Sequence, residues 1–274
     1  MQTLGDTGPV RPLGTLAAAA AGTTLALSTS LLVAPPSNAP GTLTRVAATS
    51  TPLAGRTIVL DPGHQLGNRN FPREIARLVP AGGMTKPCNT TGTSTNGGYP
   101  EATMAMSVSR LLKRRLEALG ARVVMTRYAN REDRWGPCVD VRGRAGNASS
   151  GVRADLKLSV HGDGNIGGGP GFHVIAPTSR AGWTDDIAAS SLVLAKRVRL
   201  ALLAAGLPVA AYTGGGDGLD LRGDLGTLNL SDVPAAMVEL GNMRSRADAA
   251  RMTTLSGRTR YARALAAGIV SYLR

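Results

Sequence analysis

Aromatic side chains are scarce. Phe, Trp and Tyr make up 3% of the 274 residues, which argues against a surface built on ring stacking. Cysteine is nearly absent, with only Cys88 and Cys138, and no C-x-x-C pair exists to hold a structural zinc. Acidic residues are the scarcer charge: 18 Asp and Glu against 31 Lys and Arg leave 31 − 18 = +13. Histidine occurs three times. None of the glycine-rich loops carries G-K-[ST], and the run at 167–171 does not lead straight into a helix, so a phosphate cradle is not indicated. No G-x-S-x-G elbow presents a serine nucleophile. There is no internal repeat.

The apolar content, 43%, is enough for a packed core. Residues 13–34 form a charge-free, Ala/Leu-rich run followed by Pro35-Pro36-Ser37-Asn38-Ala39, whose small residues suit signal peptidase. An uncleaved anchor is the competing reading, since 22 uncharged residues can span a bilayer. The Ala, Thr and Ser content makes the run weakly hydrophobic and favours cleavage. The expected organisation is a signal peptide at 1–39, a linker at 40–54 and one domain at 55–274. Removing 1–39 takes away Asp6 and Arg11, so the net charge stays +13. An exported chain this basic is expected to meet an anionic surface such as a cell wall, in the periplasm or outside the cell. Nucleic acid is disfavoured as a partner by export and by the lack of a recognised motif. In an exported chain, Cys88 and Cys138 suggest a disulfide closing a 50-residue loop. Such a bond contributes about 4 kcal/mol on the chain-entropy account.

After residue 55, strand-like and helical stretches alternate, the pattern of a single α/β domain with a mostly parallel sheet and helices on both faces. Strands are expected at Arg56–Leu60, Arg122–Thr126, Asp155–Val160, Phe172–Ala176 and Ala235–Leu240. A helix is expected from Glu101 to Leu119, where Ala105, Val108, Leu112, Leu116 and Leu119 make one stripe and Gly120 ends it. A short helix is expected over Val139–Ser150. Thr184 is expected to cap the next helix, with Asp185 and Asp186 in its first turn and Ile187, Ser191, Leu194, Val198 and Ala201 inward. Ser245 and Asp248 match a capping box before a short helix to about Met252. The last helix covers about Arg258–Leu273. Leu66–Gly98 and Gly214–Leu225 read as irregular loops.

Four polar residues stand at element ends. His64 follows Asp61-Pro62-Gly63 after the first strand, and His161 ends the third. Glu239 lies near the end of an otherwise apolar strand, and Glu101 opens a helix. If the strands are parallel, these ends share one edge of the sheet, where sites form in open α/β folds. Two imidazoles and a carboxylate make a common catalytic zinc set with one position left for water, and a further carboxylate serves as general base and acid. A lone histidine after a strand is more often a hydrogen-bonded loop residue. The pair, joined by a carboxylate in an apolar strand, shifts that balance, because an unpaired buried carboxylate is costly. Spacing alone leaves open which glutamate binds metal. Asp61 is read as a turn residue or as the group orienting His64 through its other ring nitrogen. His173 is read as structural or exposed, and Glu74, Glu117 and Glu132 as ordinary charged positions.

At these residues the chain resembles the zinc-dependent N-acetylmuramoyl-L-alanine amidases of type 3. The matching pieces are V-L-D-P-G-H at 59–64, Glu101 opening a long helix, L-S-V-H-G-D at 158–163 and M-V-E-L-G-N at 237–242. Each is weak alone, but four in order over about residues 55–273 are specific. The resemblance implies one zinc (Zn2+) per chain on His64, Glu101 and His161, with Glu239 catalytic. It implies hydrolysis of the amide between the lactyl group of N-acetylmuramic acid and L-alanine of a peptidoglycan stem peptide. Arg222, Asn229 and Asn242, before or beside the last motif, are candidate substrate contacts, and a monomer is expected. The pattern departs from the family at Gln65-Leu66-Gly67-Asn68, at Gly162-Asp163 and in the 66–98 insertion. The alternatives are a non-catalytic wall-binding regulator on the same fold, which would more readily have lost a ligand, and a zinc exopeptidase of another family, which the motif order does not fit.

Overall fold

Thr57, Ile58 and Val59 are β-branched and favour extended backbone, and the first strand, β1, covers Thr57–Pro62. It runs two residues past the expected end, because Asp61 and Pro62 pair with Ser159 and Val160 of a neighbouring strand. The computed structural model describes residues 51–274. The expected export signal and most of the expected linker lie outside them. Leu53, at the end of that linker, is fully buried and donates its N–H to Leu119 O.

The stretch after β1 is more ordered than its composition suggests. A 3-10 turn at Leu66–Asn70 leads to α1 (Pro72–Ala76), and β2 (Leu78–Pro80) pairs antiparallel with β3 (Thr85–Pro87). Cys88, just past this hairpin, is disulfide-bonded to Cys138, and both pack on Val79 and Val139. The long helix α2 (Glu101–Ala118) and β4 (Arg122–Met125) follow. The short helix α3 stops at Arg144, spanning Val139–Arg144, with a separate 3-10 turn at Ala148–Ser150. Then come β5 (Leu156–Asp163) and β6 (His173–Pro177).

Helix α4 (Ala188–Ala204) starts four residues after Thr184. The Thr184 hydroxyl is engaged in the preceding loop, donating to Thr178 O at 2.6 Å and accepting from Arg180 N at 3.1 Å. Asp185 and Asp186 therefore precede the helix, and Leu202 takes the inward place expected of Ala201. The expected Gly/Asp loop contains β7 (Leu219–Arg222), and the short helix α5 (Gly226–Asn229) follows. The chain closes with β8 (Ala235–Asn242), α6 (Arg246–Thr253) and α7 (Leu255–Leu273). Ser245 caps α6 without a side-chain bond. Asp248 has turned inward instead, where its carboxylate accepts from Gly171 N at 2.7 Å and Asn242 N at 2.9 Å.

The six-stranded sheet has the order β4-β1-β5-β8-β6-β7. All neighbours are parallel except β6 and β8. Helices α2, α4 and α7 cover one face and α3 and α5 the other. The period of two in each strand sorts the chemistry. Leu156, Leu158 and Val160, like Ala236, Val238 and Leu240, enter the large core under α2, α4 and α7. The alternate positions Lys157, Ser159, His161 and Glu239 face the second layer. His161 is paired in register with Glu239, and Glu239 with His173. Because β6 runs backwards, His173 at its start reaches the edge where β5 and β8 end. No helix among the described residues is long and apolar enough to cross a membrane.

Candidate active site

His64 sits just beyond β1 at φ 53, the only non-glycine residue with positive φ among those described. A left-handed backbone costs an L-residue roughly 1–2 kcal/mol, so the surrounding contacts must hold it there. Its Nδ1 lies 3.0 Å from Thr90 O and 3.1 Å from Thr90 Oγ1. The carbonyl can only accept, which puts the ring proton on Nδ1 and leaves Nε2 free as a donor atom. Asp61, expected either as a turn residue or as the group that does this, makes no hydrogen bond to the ring. It is fully buried and accepts from Arg142 Nη1 at 2.6 Å, Thr126 Oγ1 at 2.5 Å and Ser159 Oγ at 2.8 Å. Burial alone would raise its pKa, but the Arg142 guanidinium and these hydrogen bonds hold the carboxyl well below the usual range.

Glu101 is the first residue of α2, where the helix dipole favours a carboxylate. It is 3% exposed. Its Oε1 stands 3.1 Å from His64 Nε2 and 2.9 Å from His161 Nδ1 and accepts from Gly162 N at 3.2 Å, while Oε2 accepts from Thr93 N at 2.9 Å. Burial pushes this carboxyl up, and the two imidazoles pull it down further, to a net lowering. Burial pushes His64 down, and Glu101 outweighs it, for a net rise. One donor atom from each of His64, Glu101 and His161 lies within 4.8 Å of the others. Two small residues allow the convergence. A Cβ on Gly63 would lie 2.5 Å from His161 Nδ1, and one on Gly92 would lie 2.8 Å from both Glu101 Oε2 and His64 Cδ2.

Beside this trio a cavity of about 360 Å³ opens, lined by His64, His161 and Glu239 with Lys86, Asn89, Thr90, Val139, Arg142, Leu225, Thr227 and Met237. Glu239 Oε2 is buried without a hydrogen-bond partner. Burial, then the charges of Glu101 and Asp163, raise its pKa well above the ordinary value, against the pull of Arg222. A donor set of two imidazoles and one carboxylate, next to an unpartnered carboxylate in a cavity, fits a hydrolytic zinc centre on chemical grounds.

The sequence profile of the Amidase_3 family, described as N-acetylmuramoyl-L-alanine amidase, matches residues 58–271. The chain belongs to this family. The amidase is 41% identical over 234 residues to N-acetylmuramoyl-L-alanine amidase Rv3717 of Mycobacterium tuberculosis, covering 84% of this chain and 92% of that protein. Among solved structures it is similar to the apo form of the N-acetylmuramyl-L-alanine amidase Ami1 from Mycobacterium abscessus. That match has 42% identity and a TM-score of 0.73, over 81% of this chain and 100% of that one. Ami1 from Mycobacterium smegmatis superposes with the same TM-score at 37% identity, over 81% of this chain and 98% of that one.

The proposed substrate contacts separate. Arg222 forms a two-bond pair with Asp224, at 2.8 and 2.7 Å, and Asp224 also accepts from Lys86 Nζ at 3.0 Å, close to the cavity mouth. Asn229 and Asn242 do not line the cavity. Asn229 donates to Ala81 O and Gly223 O, and Asn242 to Asn165 O, Gly168 O and Gly169 O, so both amides tie loops together. His173 is 5% exposed, its Nδ1 without a partner and its ring edge-on to Tyr212, and burial lowers its pKa. Sequence reasoning missed Thr90, Lys86 and the buried cations Arg127, Arg142 and Lys157. Lys157 is fully buried against Arg142 O and Gly143 O, and burial lowers its pKa to about 7.

Proposed function

We propose that the amidase holds one zinc ion on His64, Glu101 and His161. With Glu239 it hydrolyses the amide between the lactyl group of N-acetylmuramic acid and L-alanine of a peptidoglycan stem peptide. The observation that carries this reading is the convergence of the donor trio beside one cavity, which His64 and His161 line together with the unpartnered Glu239 carboxylate. Zinc bound there supplies Lewis acidity, polarising the scissile carbonyl and lowering the pKa of water towards about 7.

The chain's own groups do the rest. Glu239, across from His161 in register, takes the proton of the attacking water and passes it to the leaving amine. The carbonyl carbon gains the water oxygen, the C–N bond breaks, and the products are the lactyl carboxylate and a free L-alanine amine. A carboxylate kept basic by burial is better suited to this than one at its ordinary pKa. Thr90 fixes the His64 ring. Val139, Leu225 and Met237 give the cavity an apolar wall, and Lys86, Asn89 and Thr90 offer polar contacts to the substrate. Muropeptides treated with protein before and after exhaustive chelation test the reading by mass spectrometry of the products. Release of the intact stem peptide is expected to stop on chelation and return with zinc; undiminished release by metal-free protein overturns it.

The signal read at 1–39 supports a place outside the membrane, at the cell wall. The exposed guanidiniums of Arg114, Arg115 and Arg263 have no ion-pair partner among the described residues and line one cleft with no acid in it. Such a surface attaches the enzyme to an anionic wall through charge. Sedimentation with purified walls is expected to weaken steeply as salt rises through about 0.1–0.5 M, where the Debye length falls below about 10 Å. Salt-independent binding overturns the attachment.

A further inference from the structure

The buried guanidinium of Arg127 touches none of the metal-binding side chains and does not line the cavity, yet it is bonded to the backbone beside two of them. Its Nε donates to Pro62 O at 3.0 Å and its Nη2 to Gly63 O at 2.9 Å, the two residues before His64. Nη2 also donates to Ala102 O at 2.9 Å, the residue after Glu101. Nη1 donates to Gln65 Oε1 at 3.2 Å, on the other side of His64, and to Ala129 O and Asn130 Oδ1 at 3.0 and 3.1 Å. Asn130 extends the link, donating to Thr103 Oγ1 on α2 at 3.0 Å and accepting from Leu66 N at 3.2 Å. The third donor joins by packing, since the His161 ring lies directly on Gly63. One side chain, 6% exposed, thus fixes the β1 turn to the first turn of α2.

We propose that Arg127 is a positioning residue for the zinc site of the function proposed above, setting the distance between His64 and Glu101 by bracing both backbones. Three features support this over a merely stabilising role. His64 is held at a left-handed φ, which persists only where the surroundings over-determine it. All six acceptors are neutral oxygens, so Arg127 is not there to neutralise a carboxylate. The planar fork reaches acceptors on two elements at once, which the single ammonium of a lysine cannot do. Arg142, itself buried, braces the same turn through Pro62 O at 2.7 Å and His64 O at 2.6 Å, but it also lines the cavity and pairs with Asp61. Arg127 separates positioning from substrate contact.

The test is Arg127→Lys, with Arg258→Lys as the control. Arg258 also anchors backbone, at Met252 O, and its other contact is the Tyr99 side chain; it bonds to no residue of the trio and to no backbone next to one. Zinc affinity by competition with a fluorescent chelator, the visible spectrum of the cobalt form and the melting temperature of metal-free protein are read together. Arg127→Lys is expected to raise the zinc dissociation constant about 10- to 100-fold, the range of effects of groups that support ligands, and to alter the cobalt bands. Arg258→Lys is expected to lower the melting temperature with affinity unchanged. An Arg127→Lys protein that melts lower but binds zinc within twofold of wild type overturns the proposal. If that variant does not fold, Asn130→Ala, which removes an acceptor of Arg127 Nη1 and the link to Thr103 and so loosens the guanidinium on its acceptors, decides. A several-fold weaker affinity supports the brace, and wild-type affinity overturns it. Loss of zinc affinity here with intact hydrolysis by metal-free enzyme would fault the proposed function and leave the brace standing.

Discussion

Glu239→Gln separates catalysis from stability at one atom. Glu239 keeps a buried oxygen without a partner and sits in the field of Glu101 and Asp163. Burial first, then those two charges, raise its pKa above the unfolded value, so its stabilising effect is full below about pH 4.3. That effect is lost as pH rises through the raised value. Between the two values the metal-free folded protein keeps a proton that the unfolded chain has released, and above the raised value it carries a repelled carboxylate. Raising a pKa by one corresponds to about 1.4 kcal/mol between the two protonation states. Gln, with nearly the same shape and no charge, removes the penalty. Metal-free Glu239→Gln is therefore expected to be more stable at pH 7 by about 1 kcal/mol or more. For a domain of this size that is a rise of about 2–4 °C in melting temperature. Zinc affinity is expected to be retained, because Glu239 is outside the donor trio. Turnover on a muropeptide is expected to fall about 10²–10⁴-fold, or about 3–5 kcal/mol in barrier, since the proton relay is gone. The assays are calorimetry of chelated protein at pH 4 and pH 7, a zinc competition titration, and steady-state kinetics. Turnover within tenfold of wild type would remove Glu239 as the base. A lower melting temperature at pH 7 would refute the account of a strained carboxylate.

Two other substitutions probe the frame of the site. Gly63→Ala sets a methyl group 2.5 and 2.7 Å from the two nitrogens of the His161 ring. The ring must move by about 1 Å, beyond the ±0.2 Å or so a metal site tolerates. Zinc content and activity are expected to fall together by about 100-fold or more, whereas Gly169→Ala, with open space around it, is expected to change neither. Asp61→Asn breaks the buried pair with Arg142 and is expected to cost about 3–5 kcal/mol at pH 7. Because the Asp61 carboxyl is held below its ordinary value, its contribution is present above about pH 3.9 and lost as pH falls. Urea melts from pH 7 to pH 3 should therefore show the gap between wild type and variant begin to narrow below about pH 3.9, without closing while the pH stays above the lowered value of the folded protein. A constant gap would mean that Asp61 acts through shape rather than charge.

The parts of this molecule that can be read from sequence are those where a local pattern and the tertiary answer coincide. The apolar runs before His64 and His161, and around Glu239, mark strands covered on both faces, and a polar residue at the end of such a run has few reasons to be there. The family resemblance at 59–64, 158–163 and 237–242 adds order to those local signals. The strand β7 escapes such a reading because Leu219-Asp220-Leu221-Arg222 is short, half-exposed and flanked by glycines, and gains its pairing only from β6. The start of α4 is misread because a capping residue and a loop-closing residue share one chemistry, and the Thr184 hydroxyl is engaged by Thr178 and Arg180.

The least legible residues are the buried cations. In a one-dimensional pattern Arg127, Arg142 and Lys157 look like the other basic residues of a chain of +13, and their type predicts exposure. What buries them is a demand no window of sequence displays. A strand that ends in Asp-Pro-Gly-His leaves the carbonyls of Pro62, Gly63 and His64 pointing away from any ladder, and each needs a donor. Water in the cavity would satisfy them without fixing them. Guanidinium groups satisfy several at once at fixed separations, and those of Arg127 and Arg142 together take all three. The left-handed His64 and the arginines around it are therefore one feature. The turn that aims the imidazole creates the unmet acceptors, and the side chains that meet them are what keep it aimed.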